Sequence, residues 1–206
     1  MTSSKRENQR NQTRQNIKES ALMMFASFGL SISIAKIAEQ AGITKQALMY
    51  HFPNKQDLLI AVIEDIESSS LESMLQFFSL LVQVQSIENT QKLEDTIHLF
   101  IEHNLWAVLF LRLILENEEH FLPESFRVNH MLAIKQLEKL QQKGVIKKHI
   151  DIAATFTNMN MLLLTTLATA KVDLRITKTL GISSKTWLTR RIISIFWMYR
   201  NTLFPN

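Results

Sequence analysis

The stretch SIAKIAEQAGITKQALMYHFPNK, residues 33–55, decides the fold of this 206-residue chain. After Ser33, which suits the N-cap of a helix, apolar residues recur at i, i+3, i+4 and i+7, the spacing of a short helix with one buried face. Gly42 follows that helix, where a tight turn needs positive φ. Thr44 then suits the N-cap of the next helix, so the pattern predicts two short helices joined by a glycine turn.

The second helix has a buried and an exposed face, and it ends at a proline. Leu48 continues the buried face, and the helix stops before Pro53 because the residue preceding a proline avoids the α region. Asn54 and Asp57, three residues apart, form a capping-box-like start for a third helix. The outward side chains are Lys45, Gln46, Met49 and Tyr50. This order of helices is typical of the helix-turn-helix that binds the DNA major groove, although glycine turns also join helices in bundles that never contact DNA.

A longer helix is predicted ahead of this unit, from Thr13 to Phe28, with one apolar stripe and Gly29 at its end. Residues 1–12 are polar and rich in Asn, Gln and Arg, so we expect them to be disordered. The basic residues of this tail form either an arm that contacts DNA or an inert extension; they are Lys5, Arg6 and Arg10.

Basic residues are concentrated at the N-terminal end of the chain. Residues 1–55 contain eight Lys and Arg against three Glu, whereas the remainder contains 15 basic and 16 acidic residues. The formal net charge of +4 therefore comes from the segment that carries the helix-turn-helix. Since neutralisation of phosphates drives much of DNA affinity, this distribution favours a polyanionic partner.

Residues 13–64 resemble the DNA-binding domain of the TetR family of bacterial transcriptional regulators in both order and spacing. The matching residues are Ala21, Phe25, Gly29, Ile37, Ala38, Ala41–Lys45, Leu48, Tyr50–Lys55, Leu58 and Leu59. The resemblance implies that the start of the second helix reaches base edges, where Lys45 would bind guanine and Gln46 would bind adenine. The residues that it implies for DNA binding are Ser33, Thr44, Lys45, Gln46, Met49, Tyr50, His51 and Lys55.

Two positions depart from the family pattern. Met49 stands where the family usually has Tyr, and Ala35 stands where it often has Arg, so both changes remove a phosphate contact. Simpler explanations also exist for two matching residues, because His51 would fit packing against the first helix and Lys55 would fit a solvated helix start. Tyr50 is different, since an outward aromatic at its position has no core to join.

The body of the chain, residues 56–206, is predicted to contain helices only, because no strand-type alternation persists. The fold class is therefore all-α, with a three-helix head over residues 13–55 and a helical body that binds a ligand and dimerises. The resemblance implies that the first body helix links the head to the body. The predicted body helices are 56–82, 90–103, 105–119, 123–143, 151–171 and 184–203.

An effector pocket is expected among helices 90–171, because bulky apolar side chains recur there at helical spacing and Met-rich linings adapt to varied ligands. An ordinary core would show the same pattern. Arg112 either contacts the ligand or pairs with Glu116, four residues further along the helix. The candidate ligand-binding residues are Asn104, Trp106, Phe110, Arg112, Phe126, Met131, Phe156 and Met159.

The helices near 151–171 and 184–203 are predicted to form a homodimer interface. The first is apolar and rich in small residues, and the second is apolar over more than one face, so both must be buried. Burial inside the monomer would satisfy the same pattern. A two-fold dimer implies a palindromic double-stranded DNA operator, with half-sites about 34–36 Å apart or a multiple of that distance.

Composition and motifs argue against other classes of protein. The chain has no Cys, which excludes disulfides, thiolate metal sites and cysteine nucleophiles. The N-terminal residues lack the apolar core of a secretory signal, and no apolar run approaches the ~20 residues of a membrane span, so we expect a cytoplasmic protein without a membrane partner. The sequence has no HExxH, P-loop or GxGxxG motif, and we therefore expect no metal, cofactor or enzymatic activity.

The sequence favours a dimeric transcriptional regulator, most simply a repressor, that a small and mainly apolar effector releases from its operator. Two alternatives stay open. One is a DNA-binding regulator without a small-molecule effector, for which a fully packed body would be expected. The other is a helical-bundle enzyme or ligand carrier with an incidental basic head, for which perturbed titratable groups should cluster in a cleft.

Overall fold

The computed structural model describes residues 2–66, 80, 97, 104–170 and 174–204. These residues contain helices and no strand, which confirms the all-α prediction. Numbered along the described part of the chain, the helices are α1 (Thr2–Phe28), α2 (Ile34–Gln40), α3 (Lys45–His51), α4 (55–66), α5 (Asn104–Leu115), α6 (Glu124–Gln142), α7 (Ile152–Ala168), α8 (Leu174–Leu180) and α9 (Ser184–Leu203). A 3-10 turn over Glu119–Phe121 precedes α6.

Most predicted helices are confirmed, and the differences have local causes. The helix predicted to reach residue 119 ends at Leu115, because Asn117 adopts a left-handed φ of 57°. The Glu118 amide then donates to the Leu113 carbonyl at 2.7 Å, which closes the helix as a Schellman motif. Helix α8 was not predicted, since it spans only seven residues and ends at Leu180, directly before Gly181. The predicted helix 90–103, apart from residue 97, and most of the predicted helix 56–82 beyond residue 66 lie outside the described residues.

The first helix differs from the prediction at its N-terminal end. In place of a disordered tail over residues 1–12, α1 already begins at Thr2. The exposed residues 5–12 make no core contact, so this extension depends on local preferences. Lys, Arg, Glu and Gln favour helix, and no Gly or Pro interrupts the segment. The Thr13 hydroxyl also donates to the Gln9 carbonyl at 2.9 Å, within the same helix.

The chain divides into two compact units. The head unit consists of residues 1–67 and 112–123, and the body unit consists of residues 68–111 and 124–206. The predicted boundary near residue 55 therefore differs from the observed division, because α4 belongs to the head unit and α5 contributes residues to both. The fully buried side chains of the head unit include Ile17, Phe25, Ile37, Leu48, Phe52, Leu58 and Ile63.

The body unit has its own hydrophobic core, in which α7 packs against α6 and α9. Phe156 and Met159 of α7 are 2% and 1% exposed, and Phe196 of α9 is 0% exposed. Asp151 caps α7 by accepting from the Ala154 amide at 2.9 Å. In the described ranges, no helix combines the length and the apolar character that a membrane crossing requires.

Candidate nucleic-acid interface

The turn between α2 and α3 is fixed by backbone hydrogen bonds. Gly42 has a φ of +70°, and the Ile43 amide donates to the Ala38 carbonyl at 3.0 Å. The Gly42 amide donates to the Glu39 carbonyl, also at 3.0 Å, so a Schellman motif ends α2. Because this conformation strains any residue with a β-carbon, the glycine determines the angle at which α3 leaves the turn.

Two hydroxyl groups cap the helices of the motif, as the sequence predicts. The Ser33 hydroxyl accepts from the Lys36 amide at 3.4 Å, and the Thr44 hydroxyl accepts from the Ala47 amide at 3.1 Å. Asn54 and Asp57 form the predicted capping arrangement at the start of α4, where the Asp57 amide donates to the Asn54 side chain at 2.8 Å. The side chains of Ser33, Thr44 and Asn54 therefore cap the first turns of α2, α3 and α4.

Helix α3 has one buried and one exposed face. Leu48 is 0% exposed and holds α3 against the head core. On the other face, Tyr50 is 73% exposed and Met49 is 42% exposed. Lys45 and Gln46 are exposed in the first turn. Four of the predicted DNA-binding side chains thus share one solvent-facing surface, which we call the α3 face.

Two arginines of α1 hold the C-terminal end of α3, and the sequence did not predict this. Arg14 donates to the His51 carbonyl at 2.8 Å, and its guanidinium lies 4.0 Å from the centre of the Phe52 ring. The guanidinium of Arg10 lies 5.8 Å from the centre of the Tyr50 ring. A cation is favoured at this position because the last carbonyls of a helix carry partial negative charge. The sequence shows that the two arginines are four residues apart. It does not show that Arg10 contacts Tyr50, 40 residues away, or that Arg14 contacts His51, 37 residues away.

His51 lies where these groups meet. Its ring contacts the Tyr50 ring edge-on, with 5.4 Å between centroids. Burial lowers the pKa of His51 below the usual 6.5, and the positive charges of Arg10 and Arg14 lower it further. Its Nδ1 atom is buried and has no hydrogen-bond partner among the described residues. The ring is therefore mainly neutral at neutral pH.

Lys55 has an intramolecular partner. Its ammonium group donates to the Leu30 carbonyl at 2.7 Å, so this predicted DNA-binding side chain connects the start of α4 to the loop after α1. The bond gives Lys55 a structural purpose within the head unit.

The same loop is bound by a group that we call the Arg112 cluster, formed by Arg112, Glu116 and the backbone at the end of α1. Arg112 Nε donates to the Ala26 carbonyl at 2.9 Å, and the Leu30 amide donates to the Glu116 carboxylate at 3.3 Å. The predicted pair of Arg112 with Glu116 is present at 3.3 Å. Gly29, with a φ of +88°, lies so close that an added β-carbon would be 3.2 Å from Arg112 Nη1.

In the body unit, several candidate ligand-binding residues come together in an aromatic cluster. The rings of Trp106 and Phe110 lie 5.5 Å apart, and those of Phe110 and Phe126 lie 5.1 Å apart. His130, four residues after Phe126 and on the same face of α6, has its ring 4.7 Å from that of Phe156. These four aromatic residues and His130 form what we call the aromatic cluster.

The other candidates lie elsewhere or have different surroundings. Met159 is buried in the core of the body unit, and Met131 is 44% exposed. Arg112 belongs to the head unit and binds backbone carbonyls there. Asn104 begins α5, but its side chain lies outside the described part of the structure. The sequence therefore identified the aromatic residues of the cluster, and for Arg112 the alternative of a pair with Glu116 is the one that the structure shows.

His130 is the one member of the aromatic cluster that sequence reasoning missed. Its Nε2 atom lies 3.2 Å from the Thr157 hydroxyl, and burial lowers its pKa below 6.5. A signal was available, because His130 follows Phe126 at helical spacing. Among the residues that the structure describes, no three His, Asp or Glu side chains lie close enough to hold a metal ion.

Comparison with known proteins shows that part of the head matches a known family. Residues 17–62 match the sequence profile of bacterial regulatory proteins, tetR family. The HTH-type transcriptional regulator AcrR of Shigella flexneri is 39% identical over 67 residues, which cover 32% of this chain and 31% of AcrR. The nucleoid occlusion factor SlmA of Shewanella pealeana is 33% identical over 86 residues, covering 41% of this chain and 42% of SlmA. The match therefore spans less than half the length of either curated relative.

A solved structure resembles the chain over nearly its whole length. The crystal structure of a gamma-butyrolactone receptor, described as ArpA-like, matches with a TM-score of 0.61. The match covers 96% of this chain and 90% of that one, with 20% identical residues. At this level of identity, the likeness concerns the fold of the two proteins.

Proposed function

Because residues 17–62 of this chain match the TetR family of bacterial regulatory proteins, we propose that the chain is a transcriptional regulator that binds a specific DNA operator through α3. The observation that carries the proposal is the α3 face, on which Lys45, Gln46, Met49 and Tyr50 are exposed beside a basic N-terminal segment. Lys and Gln offer hydrogen bonds to guanine and adenine edges. The surface has the chemistry for base recognition, and its helix is held by buried Leu48 and by Arg14.

The test of DNA binding is fluorescence anisotropy with DNA flanking the gene of the protein and with a scrambled duplex. Wild-type protein should prefer the flanking DNA, and each lost base contact should cost about 1–3 kcal/mol. Lys45→Ala and Gln46→Ala should remove the preference, whereas Lys135→Ala, which removes an exposed charge of the body unit, should retain it. Equal binding of both DNAs by the wild-type protein would refute sequence-specific regulation through α3.

The proposal includes a homodimer formed through α7 and α9. Each helix leaves one side exposed although the other side is buried in the core of the body unit. On α7 the exposed residues include Met161 at 38% and Leu162 at 36%, and on α9 they include Met198 at 48%. Apolar side chains of this kind are stabilised when a second copy covers them. Sedimentation of a stable monomer at micromolar concentration would contradict the dimer and, with it, the palindromic operator.

We further propose that a small, mainly apolar effector binds at the aromatic cluster and releases the protein from DNA, which makes it a repressor. Trp106 and Phe110 of the cluster lie on α5, the helix that also carries Arg112 into the head unit. A ligand that favours one position of α5 would shift the population of head conformations. His130 and its neighbour Thr157 supply polar groups at the edge of the rings.

Thermal unfolding in the presence of apolar small molecules tests the effector. A ligand at 100 times its dissociation constant should stabilise the protein by about 2.7 kcal/mol, and Phe126→Ala should abolish that gain. A body unit that binds no such ligand would favour a regulator without a small-molecule effector. We expect the protein to act in the cytoplasm, where its DNA is, and without enzymatic activity.

A further inference from the structure

The N-terminal turns of α1 carry a row of arginines that the predicted α3 face does not include. Arg6, Arg10 and Arg14 are spaced four residues apart, so they lie on one face of α1. Arg14 of this row bonds the last turn of α3, and Arg10 lies beside the exposed Tyr50 ring. The row therefore runs along the side of α1 that faces the recognition helix and continues past its end.

Arg6 is the outermost member of this row. It is exposed, and the neighbouring Lys5 is exposed as well. Four residues of helix place Arg6 about 6 Å beyond Arg10 along the helix axis. No described core residue lies in residues 5–12, so packing of the monomer does not explain why this helical segment is basic.

We propose that Arg6 and Arg10 form a second DNA-binding site that holds backbone phosphates next to the groove occupied by α3. This inference rests on the proposed function, because it needs α3 to lie in a groove. Phosphates follow one another with a rise of about 3.4 Å per strand, so a row that advances about 6 Å per arginine can meet successive parts of the backbone. Since α1 is helical here, the two arginines have a fixed spacing along one face of α1, and the site contacts phosphates without reading bases.

The experiment compares the salt dependence of DNA binding for wild-type protein, Arg6→Gln and Lys139→Gln. Gln keeps a high helix propensity and removes one charge, and Lys139 is an exposed lysine of α6 that matches the change in net charge. Anisotropy is measured between about 50 and about 200 mM salt, a range over which each phosphate contact changes affinity about 3.5-fold. Circular dichroism of each variant verifies that its helix content is unchanged.

The slope of log affinity against log salt should fall by about 0.9 per protomer for Arg6→Gln and remain unchanged for Lys139→Gln. The loss should be equal on operator and scrambled DNA, and Arg6→Lys, which keeps the charge, should retain the wild-type slope. Identical slopes for wild-type protein and Arg6→Gln would overturn the second site, even though specific binding through α3 persisted. Loss of affinity for the operator alone would overturn it too, because a phosphate contact is independent of sequence. If the wild-type protein binds operator and scrambled DNA equally, the proposed function itself has failed, and the second site fails with it.

Discussion

Replacing Gly29 by alanine should destabilise the protein more than the same replacement at Gly42. The difference between the two losses in free energy of unfolding measures how much the contacts of the Arg112 cluster stabilise the protein. Both glycines have positive φ, +88° at Gly29 and +70° at Gly42. An alanine in this region costs about 1–2 kcal/mol, from which the lower entropy of the unfolded chain subtracts about 0.4–1 kcal/mol. Both contributions apply at both sites, so they cancel when the free energies of unfolding of the two variants are compared.

The surroundings of the new methyl group differ between the two sites. At Gly42 nothing lies within 4 Å of the added carbon, whereas at Gly29 it would lie 3.2 Å from Arg112 Nη1 and 3.3 Å from Glu116 Oε1. Those side chains must move by a few tenths of an ångström, which weakens their hydrogen bonds to the end of α1. Hydrogen bonds of charged groups contribute about 1.5–3 kcal/mol, but solvent screens side chains that are 34% and 36% exposed, so we expect a loss of roughly 1 kcal/mol.

Urea denaturation followed by circular dichroism, at one fixed protein concentration, would measure this loss. Gly29→Ala should lower the free energy of unfolding by about 1 kcal/mol more than Gly42→Ala does. In an Arg112→Ala/Glu116→Ala background the two replacements should cost the same, since both side chains that the methyl group displaces are then absent. Equal losses in the wild-type background, or a difference that survives without Arg112 and Glu116, would refute the reasoning.

Three further predictions concern α3. Leu48→Ala, which truncates a side chain that is 0% exposed, should lower the free energy of unfolding by about 2–5 kcal/mol in a urea titration. Thr44→Ala should lower it by about 1 kcal/mol by removing the cap, whereas Thr44→Ser should retain most of the stability in thermal unfolding. Because burial, and then two neighbouring arginines, lower the pKa of His51, the unfolded chain takes up a proton first as the pH falls. The stability from His51 should therefore be complete above about pH 6.5 and decline as the pH falls toward the lowered pKa, and His51→Gln should reduce that decline between about pH 7.5 and about pH 5.5. Stability that increases on acidification in the wild-type protein alone would contradict the assigned direction.

The sequence predicted the parts of the head that depend on local chemistry. Ser33 and Thr44 cap helices because a side-chain oxygen there reaches an amide three residues further on, as the hydrogen bonds show. Gly42 makes the turn because its conformation disfavours a β-carbon. Each of these effects acts within a few residues, so a short stretch of sequence is enough to predict it.

Contacts between distant residues could not be predicted in the same way. Arg14 and the His51 carbonyl are 37 residues apart, and Arg112 and the Ala26 carbonyl are 86 residues apart. A long, flexible cation can pair with many carbonyls, so only the packed fold selects its partner. For the same reason Lys55 fitted a phosphate contact in the sequence and binds the Leu30 carbonyl in the structure.

The hydrogen bonds within the head unit also divide its helix-turn-helix motif into two kinds of position for protein engineering. Ser33, Thr44 and Lys55 stabilise the domain through hydrogen bonds of their own side chains, so changing them would lower its stability. Lys45 and Gln46 are exposed, and no side-chain bond ties either of them to the described part of the head. A library randomised at these two positions and retained elsewhere could therefore retarget the protein to a new operator on an unchanged scaffold.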